Sequence, residues 1–237
     1  MPDKQQLLKK LLNCIDVRLF GVTFAPSEEK KNVSLTGSVQ ISYGLNKFSE
    51  DIHYTNQILS PYQPKGTGQT TIGEESKGLE SHYVFDFVVN PNHLKDGVEH
   101  LGVDEGALLG KKDINSFKEA ARKGVSSVNS TTKIGSENEL LLYIEYSQPL
   151  LLQNLKDFVK ITASDDKVKR TIDLSDLEGY LIGEQGIFSK EDESKAKIEI
   201  YYEPQKTIII GFDDTSDKAK IKKYHLITGK EIADNQK

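Results

Sequence analysis

No stretch of this chain is apolar for anything near the ~20 residues that cross a bilayer. The first ten residues, MPDKQQLLKK, lack the apolar centre of a secretory signal, so neither a membrane partner nor export is expected. Cysteine is almost absent. Cys14 alone excludes an intramolecular disulfide and a cysteine-rich zinc site, and fits a reducing cytoplasm. Positive charge is not in excess either: a net charge of −5 argues against a protein that coats nucleic acid indiscriminately, while leaving room for a local basic patch.

Catalytic signatures are missing as well. The five histidines (His53, His82, His93, His100, His225) are scattered, with no pair at i, i+4, and no Gly-x-Ser-x-Gly elbow occurs. Gly66, Gly68 and Gly73 fit neither the dinucleotide fingerprint nor the P-loop, because no Lys-Ser/Thr follows the last glycine. The paired acids Glu28-Glu29, Asp165-Asp166 and Asp213-Asp214 stand in polar, turn-like stretches, and Asp16 reads as a structural ion-pair or turn residue beside Arg18. No catalytic residue, metal ligand or cofactor is assigned, and the chain is not expected to be an enzyme.

What is present is a soluble, globular composition, with 36% hydrophobic and 28% charged residues over 237 positions. Leu7, Leu8, Leu11, Leu12 and Ile15 follow a helical spacing that Asp3 and Gln6 could cap, with Cys14 as a small buried residue at its end. Asp16–Tyr43 reads as two strands around a charged insert, with one buried side and one polar side. Gly44–Tyr62 shows no clean period, and Pro61–Glu80 is a glycine- and proline-rich excursion. His82–Pro91 reads as a strand, Asn92–Gly110 as an irregular connector, Asp113–Lys123 as a helix with Lys118, Arg122 and Lys123 outward, and Glu139–Tyr146 as a buried strand. Lys111–Lys133 carries six basic against two acidic residues, a local balance of +4. Beyond it, Leu150–Phe158 and Ser175–Leu181 read as short helices. Lys195–Glu203 and Thr207–Phe212 read as a hairpin about Pro204, Tyr224–Ile227 as an edge strand, and Asp213–Lys223 as frayed. The implied fold is α+β: a ferredoxin-like unit lacking its first strand over residues 1–149, with a loop inserted at 61–80, and an α+β extension of the same domain over 150–237.

Asp16-Val-Arg-Leu-Phe-Gly21, Leu35-Thr-Gly-Ser-Val-Gln-Ile-Ser42 and Leu45-Asn46-Lys47, in that order, resemble the CRISPR-associated backbone subunit of type I effector complexes, most closely the type I-B form. His82–Pro91 and Ser130–Ile134 match two further family elements, and the resemblance runs from about residue 5 to about residue 205. It implies an RNA-recognition-motif palm whose copies polymerise along the CRISPR RNA without cutting the target. Implied partners are that RNA, neighbouring copies, other Cascade subunits and, through guide pairing, target DNA. Carried over by position, the resemblance places Arg18, Gln40, Ser42, Asn46 and Lys47 on or beside the RNA path, together with Thr132 and Lys133. The local basic segment adds Arg122 and Lys123. Ser38 stands where many relatives have proline. The family also begins with a strand and glycine loop that this chain lacks, which would leave unpaired backbone in the palm. A truncated or degenerate copy without RNA affinity, a ribonuclease of the RNA-targeting relatives, and a generic ferredoxin-like interaction module are the alternatives.

Overall fold

The computed structural model describes residues 2–25, 32–48, 53–59, 72–78, 80–100, 108–128, 130, 133–147, 150–152, 154–164, 168–188, 196–212 and 217–232. Helix α1 (Pro2–Leu12) starts at a proline, whose fixed φ suits the first helical position, so Asp3 lies inside the first turn. Its Leu8 and Leu12 are each 1% exposed, while Cys14, expected inside, is exposed where the chain kinks. The DVRLF segment is not a strand. It forms a short helix, α2 (Ile15–Phe20), which buries Val17 and Leu19. An alternating pattern five residues long satisfies either period, and packing beneath the following strands selects the helix.

Strands β1 (Gly21–Phe24) and β2 (Val33–Thr36) form an antiparallel pair, with Val33 and Leu35 inward and Ser34 and Thr36 outward. Gly21 and Gly37 meet back to back. Gly21 has φ +83°, and a Cβ on Gly37 would lie 2.3 Å from the Gly21 nitrogen and 2.4 Å from the Leu19 carbonyl oxygen. Only residues without a side chain permit that approach. Strand β3 (Val39–Ile41) leads into β4 (Leu45–Asn46), and after the hairpin β5 (His53–Leu59) and β6 (Ile72–Gly78) the chain returns through β7 (Tyr83–Val84) and β8 (Phe87–Val89). The stretch read as an excursion therefore contributes one paired strand, and its residues 61–71 and 79 lie outside the described residues.

Helix α3 (Pro91–His100) stands where a connector was expected. Pro91 opens it instead of merely ending the preceding strand, and its Leu94 and Val98 are fully buried with α1 and β2. Helix α4 (Lys111–Lys123) follows as read, then β9 (Leu140–Glu145), and Leu155–Phe158 is one 3₁₀ turn, not a longer helix. After it come β10 (Lys160–Ala163), β11 (Arg170–Asp173), α5 (Ser175–Ile182), β12 (Ala196–Tyr202), β13 (Thr207–Ile210) and β14 (Ala219–His225). No hairpin forms about Pro204. β12 lies between β9 (antiparallel) and β14 (parallel), whereas β13 runs parallel to β11 in a separate sheet with β10. Residues 219–223, read as frayed, are strand.

Strands from both sides of residue 149 share the β9–β12–β14 sheet, and Phe48 packs into the same core as Ile172, Leu177, Ile198 and Phe212. Among the described residues β9 pairs only with β12, and β8 only with β3. Their faces are joined by side chains: the Phe87 ring lies 6.2 Å from Tyr143 and 5.2 Å from Phe117 of α4. No described helix is long and apolar enough to cross a membrane.

Candidate nucleic-acid interface

Residues 39–47 and 82–89 run side by side as one interrupted ladder. Val39, Gln40 and Ile41 face Val89, Val88 and Phe87, and the Ser42 N–H donates to the Asp86 carbonyl at 2.8 Å. Leu45 and Asn46 then face Val84 and Tyr83, and the Lys47 N–H donates to the His82 carbonyl at 2.9 Å. The register slips by one between these blocks, so Tyr43 and Gly44 together oppose Phe85, which is a β-bulge. Four of the predicted RNA contacts, Gln40, Ser42, Asn46 and Lys47, lie on this ladder. Gln40 is exposed and donates to the Gly37 carbonyl at 3.2 Å. The Asn46 side-chain oxygen accepts from the Phe48 and His82 backbone N–H groups at 3.1 and 3.0 Å, which ties the two strands together. Lys47 Nζ stands 3.8 Å from Asp157.

Ser42 belongs to a network that nothing in the sequence pointed to. Its Oγ accepts from the Asp86 N–H at 3.0 Å and from Lys156 Nζ at 3.1 Å. The Lys156 side chain is only 4% exposed, and its ammonium sits 3.6 Å from an Asp86 oxygen and 4.4 Å from the centre of the Tyr43 ring. A buried ammonium needs such partners, since stripping its water is otherwise expensive. No local pattern separates Lys156 from the solvated lysines, because its burial arises from a segment distant in sequence folding over the bulge.

Arg18 is engaged internally. Its Nε and one terminal nitrogen donate to the two Asp113 oxygens at 2.9 and 2.7 Å, and the other donates to the Leu12 carbonyl at 2.6 Å. The pair is largely buried, and the fork holds the Asp113 carboxyl below its usual range while raising the arginine. Asp113 also accepts from the Gly110 N–H at 3.1 Å, capping α4. Arg18 thus clamps α2 to the start of α4. Its carbonyl accepts the Ser38 N–H at 3.2 Å, which positions the turn into β3.

On α4, Lys118 and Arg122 do not point outward as expected. Lys118 Nζ lies 3.9 Å over the Tyr143 ring and 2.6 Å from Glu199. Arg122 donates to the Leu226 carbonyl at 2.8 Å and lies over Tyr201. Long cationic side chains cover aromatic surface in this way, and a charge count cannot see it. Lys123 remains at the surface, paired with Glu119 at 2.8 Å. Lys133 is exposed in the loop after α4, and Asn138 closes that loop on the helix end by donating to the Ala121 carbonyl at 2.9 Å. Thr132 lies outside the described residues.

A second cluster sits at the root of the β5–β6 hairpin. His82 Nδ1 is 2.5 Å from Glu139 and its Nε2 is 2.8 Å from Glu80, while Arg170 holds both oxygens of Glu80, one at 2.7 Å. The Phe48 ring packs on His82 at 4.9 Å. Hydrogen bonding to two carboxylates raises the imidazole above its usual value, and the Arg170 guanidinium draws Glu80 down to about 2. Among the described residues no group of three His, Cys, Asp or Glu side chains is placed to hold a metal.

The sequence model of the family described as CRISPR-associated protein Cas7 matches residues 3–180. No curated protein matches the chain. Among solved structures the chain is similar to one described as "CRISPR RNA-guided surveillance complex, pre-nicking", at 12% identity and a TM-score of 0.47, over 90% of this chain and 53% of that one. The chain thus spans about half the length of that solved chain.

Proposed function

The chain belongs to the family of CRISPR-associated protein Cas7, and we propose that it is a CRISPR RNA-binding backbone subunit of a type I antiviral effector complex. The carrying observation is the family match over residues 3–180, which contains the whole 39–47/82–89 ladder and the basic α4 region. The proposed subtype is type I-B, the form that the motifs most closely resemble. In this reading copies of the chain lie head to tail along the guide, other Cascade subunits complete the particle, and target DNA is met through guide pairing.

A guide of any sequence must be held by phosphate and 2′-hydroxyl contacts rather than by reading base edges. Gln40, Lys47, Lys123 and Lys133 present donors suited to that task. Arg18, Ser42, Asn46 and Arg122 act behind them, fixing the backbone that carries the donors. The acidic remainder of the chain limits stray nucleic-acid binding and offers complementary faces to neighbouring copies. The subunit holds RNA and does not cut it. Co-expression with a CRISPR RNA, followed by sizing of the purified particle, tests the reading. A ribonucleoprotein larger than the monomer, containing intact RNA after incubation with magnesium or manganese, is the expected result. A monomer free of RNA, or progressive cleavage of the guide, would overturn it.

A further inference from the structure

We propose that Tyr43, backed by the buried Lys156 ammonium, is a stacking platform for a base of a single-stranded nucleic acid, with Phe85 as a second ring at the same bulge. This rests on the RNA-binding reading above and specifies how the ladder engages its ligand.

Tyr43 is 73% exposed and Phe85 55% exposed, among the largest apolar surfaces the described residues leave in water. Neither ring is loose. The Tyr43 ring lies 4.4 Å from Lys156 Nζ, and that ammonium is fixed in turn by Ser42 Oγ at 3.1 Å and the Tyr43 carbonyl at 3.4 Å. A cation held beneath one face of an aromatic ring restrains it by cation–π attraction and leaves the opposite face to solvent. The Phe85 ring occupies the space where a Cβ on Gly44 would stand, 2.5 Å from its nearest carbon, so it rests against bare backbone at the bulge. The bulge interrupts the regular ladder at both residues, and bulges are a common device for re-aiming side chains at functional edges.

The surroundings favour a nucleic acid over a protein partner. Along residues 39–47 and 82–89 the exposed large apolar side chains are three rings, Tyr43, Tyr83 and Phe85, and one aliphatic residue, Ile41. Gln40 and Lys47 lie on the same run, so rings, amide and cation outweigh aliphatic surface. Among the described residues, Asp86 and Asp157 are acids beside this run, and each has a lysine within 4 Å, Lys156 at 3.6 Å and Lys47 at 3.8 Å. Stacking is also tolerant of sequence, because every base offers a π face. A guide-holding protein needs that tolerance.

The test measures binding of a single-stranded RNA carrying a fluorescent purine analogue, and of a matched abasic strand, to the wild-type chain and to Tyr43→Ala, Tyr43→Phe and Phe85→Ala. Loss of one stacked base should weaken RNA binding by roughly 5- to 140-fold in Tyr43→Ala. The salt slope should be unchanged, Tyr43→Phe should bind like the wild type, and quenching of the analogue should be lost only in the alanine variants. The abasic strand should bind wild type and Tyr43→Ala equally. At 73% exposure the side chain contributes little to the core, so an unchanged unfolding midpoint is expected to verify the fold. If the wild type binds RNA and Tyr43→Ala binds it equally well, the stacking inference falls while the RNA-binding reading stands. If Tyr43→Ala leaves RNA affinity intact but disperses oligomers, the surface belongs to a second copy and the inference is again overturned. Absence of any RNA binding by the wild type would overturn both.

Discussion

Replacing Arg18 with alanine should destabilise the protein without changing how the folded chain meets RNA. The side chain makes three hydrogen bonds of 2.6–2.9 Å, two of them to an Asp113 that is only 11% exposed. Truncation leaves that carboxylate with the Gly110 N–H as its remaining partner in the cap, and the Leu12 carbonyl loses its donor. Breaking a buried pair from one side costs about 3–5 kcal/mol. The residual exposure of both groups lets water return, which lowers the expectation to about 2–4 kcal/mol. For a chain of this size that corresponds to a fall in unfolding midpoint of roughly 5–15 °C. Thermal and urea unfolding of Arg18→Ala, Asp113→Ala and the double variant supply the cycle. The double variant should lose less than the sum, with a coupling of about 1–3 kcal/mol. Arg18→Lys should recover only part, since an ammonium cannot reproduce the fork. Because Asp113 is held below its usual 3.8, the pair's contribution is present above that value and disappears as pH falls through the depressed one, so the variants should converge with wild type in acid. An Arg18→Ala protein that unfolds with the wild type while losing RNA affinity would instead place Arg18 on the RNA surface.

Other consequences follow from the same geometry. Gly37→Ala places a methyl within 2.4 Å of backbone atoms of Gly21 and Leu19, so it should destabilise by about 3 kcal/mol or more or prevent folding, whereas Gly135→Ala, with open space around it but φ +89°, should cost only about 1 kcal/mol. Urea unfolding of both variants checks the contrast. The His82 cluster predicts a stability maximum in mild acid. Glu80, lowered to about 2, contributes above its usual 4.5 and is lost as pH falls below that, while His82, raised above 6.5, contributes fully below 6.5 and is lost as pH rises through its folded value. In His82→Gln the alkaline limb should flatten when unfolding midpoints are compared across pH, and a limb unchanged from wild type would contradict the assignment.

The elements legible in the sequence were those whose period runs long enough to be unambiguous. Helix α4, strand β9 and helix α5 lie within a few residues of where periodicity put them. The DVRLF segment failed because Val17 and Leu19 satisfy both strand alternation and a short helix, and only burial beneath β2 and α4 decides between them. The hairpin about Pro204 failed for a different reason. β12 and β13 are true strands, but their partners are β14, β9 and β11, and local sequence does not encode such long-range pairing, parallel or antiparallel. Within the candidate site, Gln40, Ser42, Asn46 and Lys47 share one ladder, and it was the resemblance, not any local pattern, that singled them out. The inward turn of Lys118, Arg122 and Lys156 was not, since each depends on an aromatic ring or a carboxylate brought from far along the chain.

The most direct test of the central claim is the salt dependence of binding between the purified chain and single-stranded RNA. Each neutralised phosphate on a single strand contributes about 0.7 to the slope of log affinity against log salt. Measurable binding at low salt is expected, with a slope of several such increments, reduced by about one increment each in Lys47→Ala and Lys133→Ala and unaltered in Arg18→Ala measured below its unfolding midpoint. No binding at low salt, or binding whose slope neither lysine variant changes, would contradict that claim.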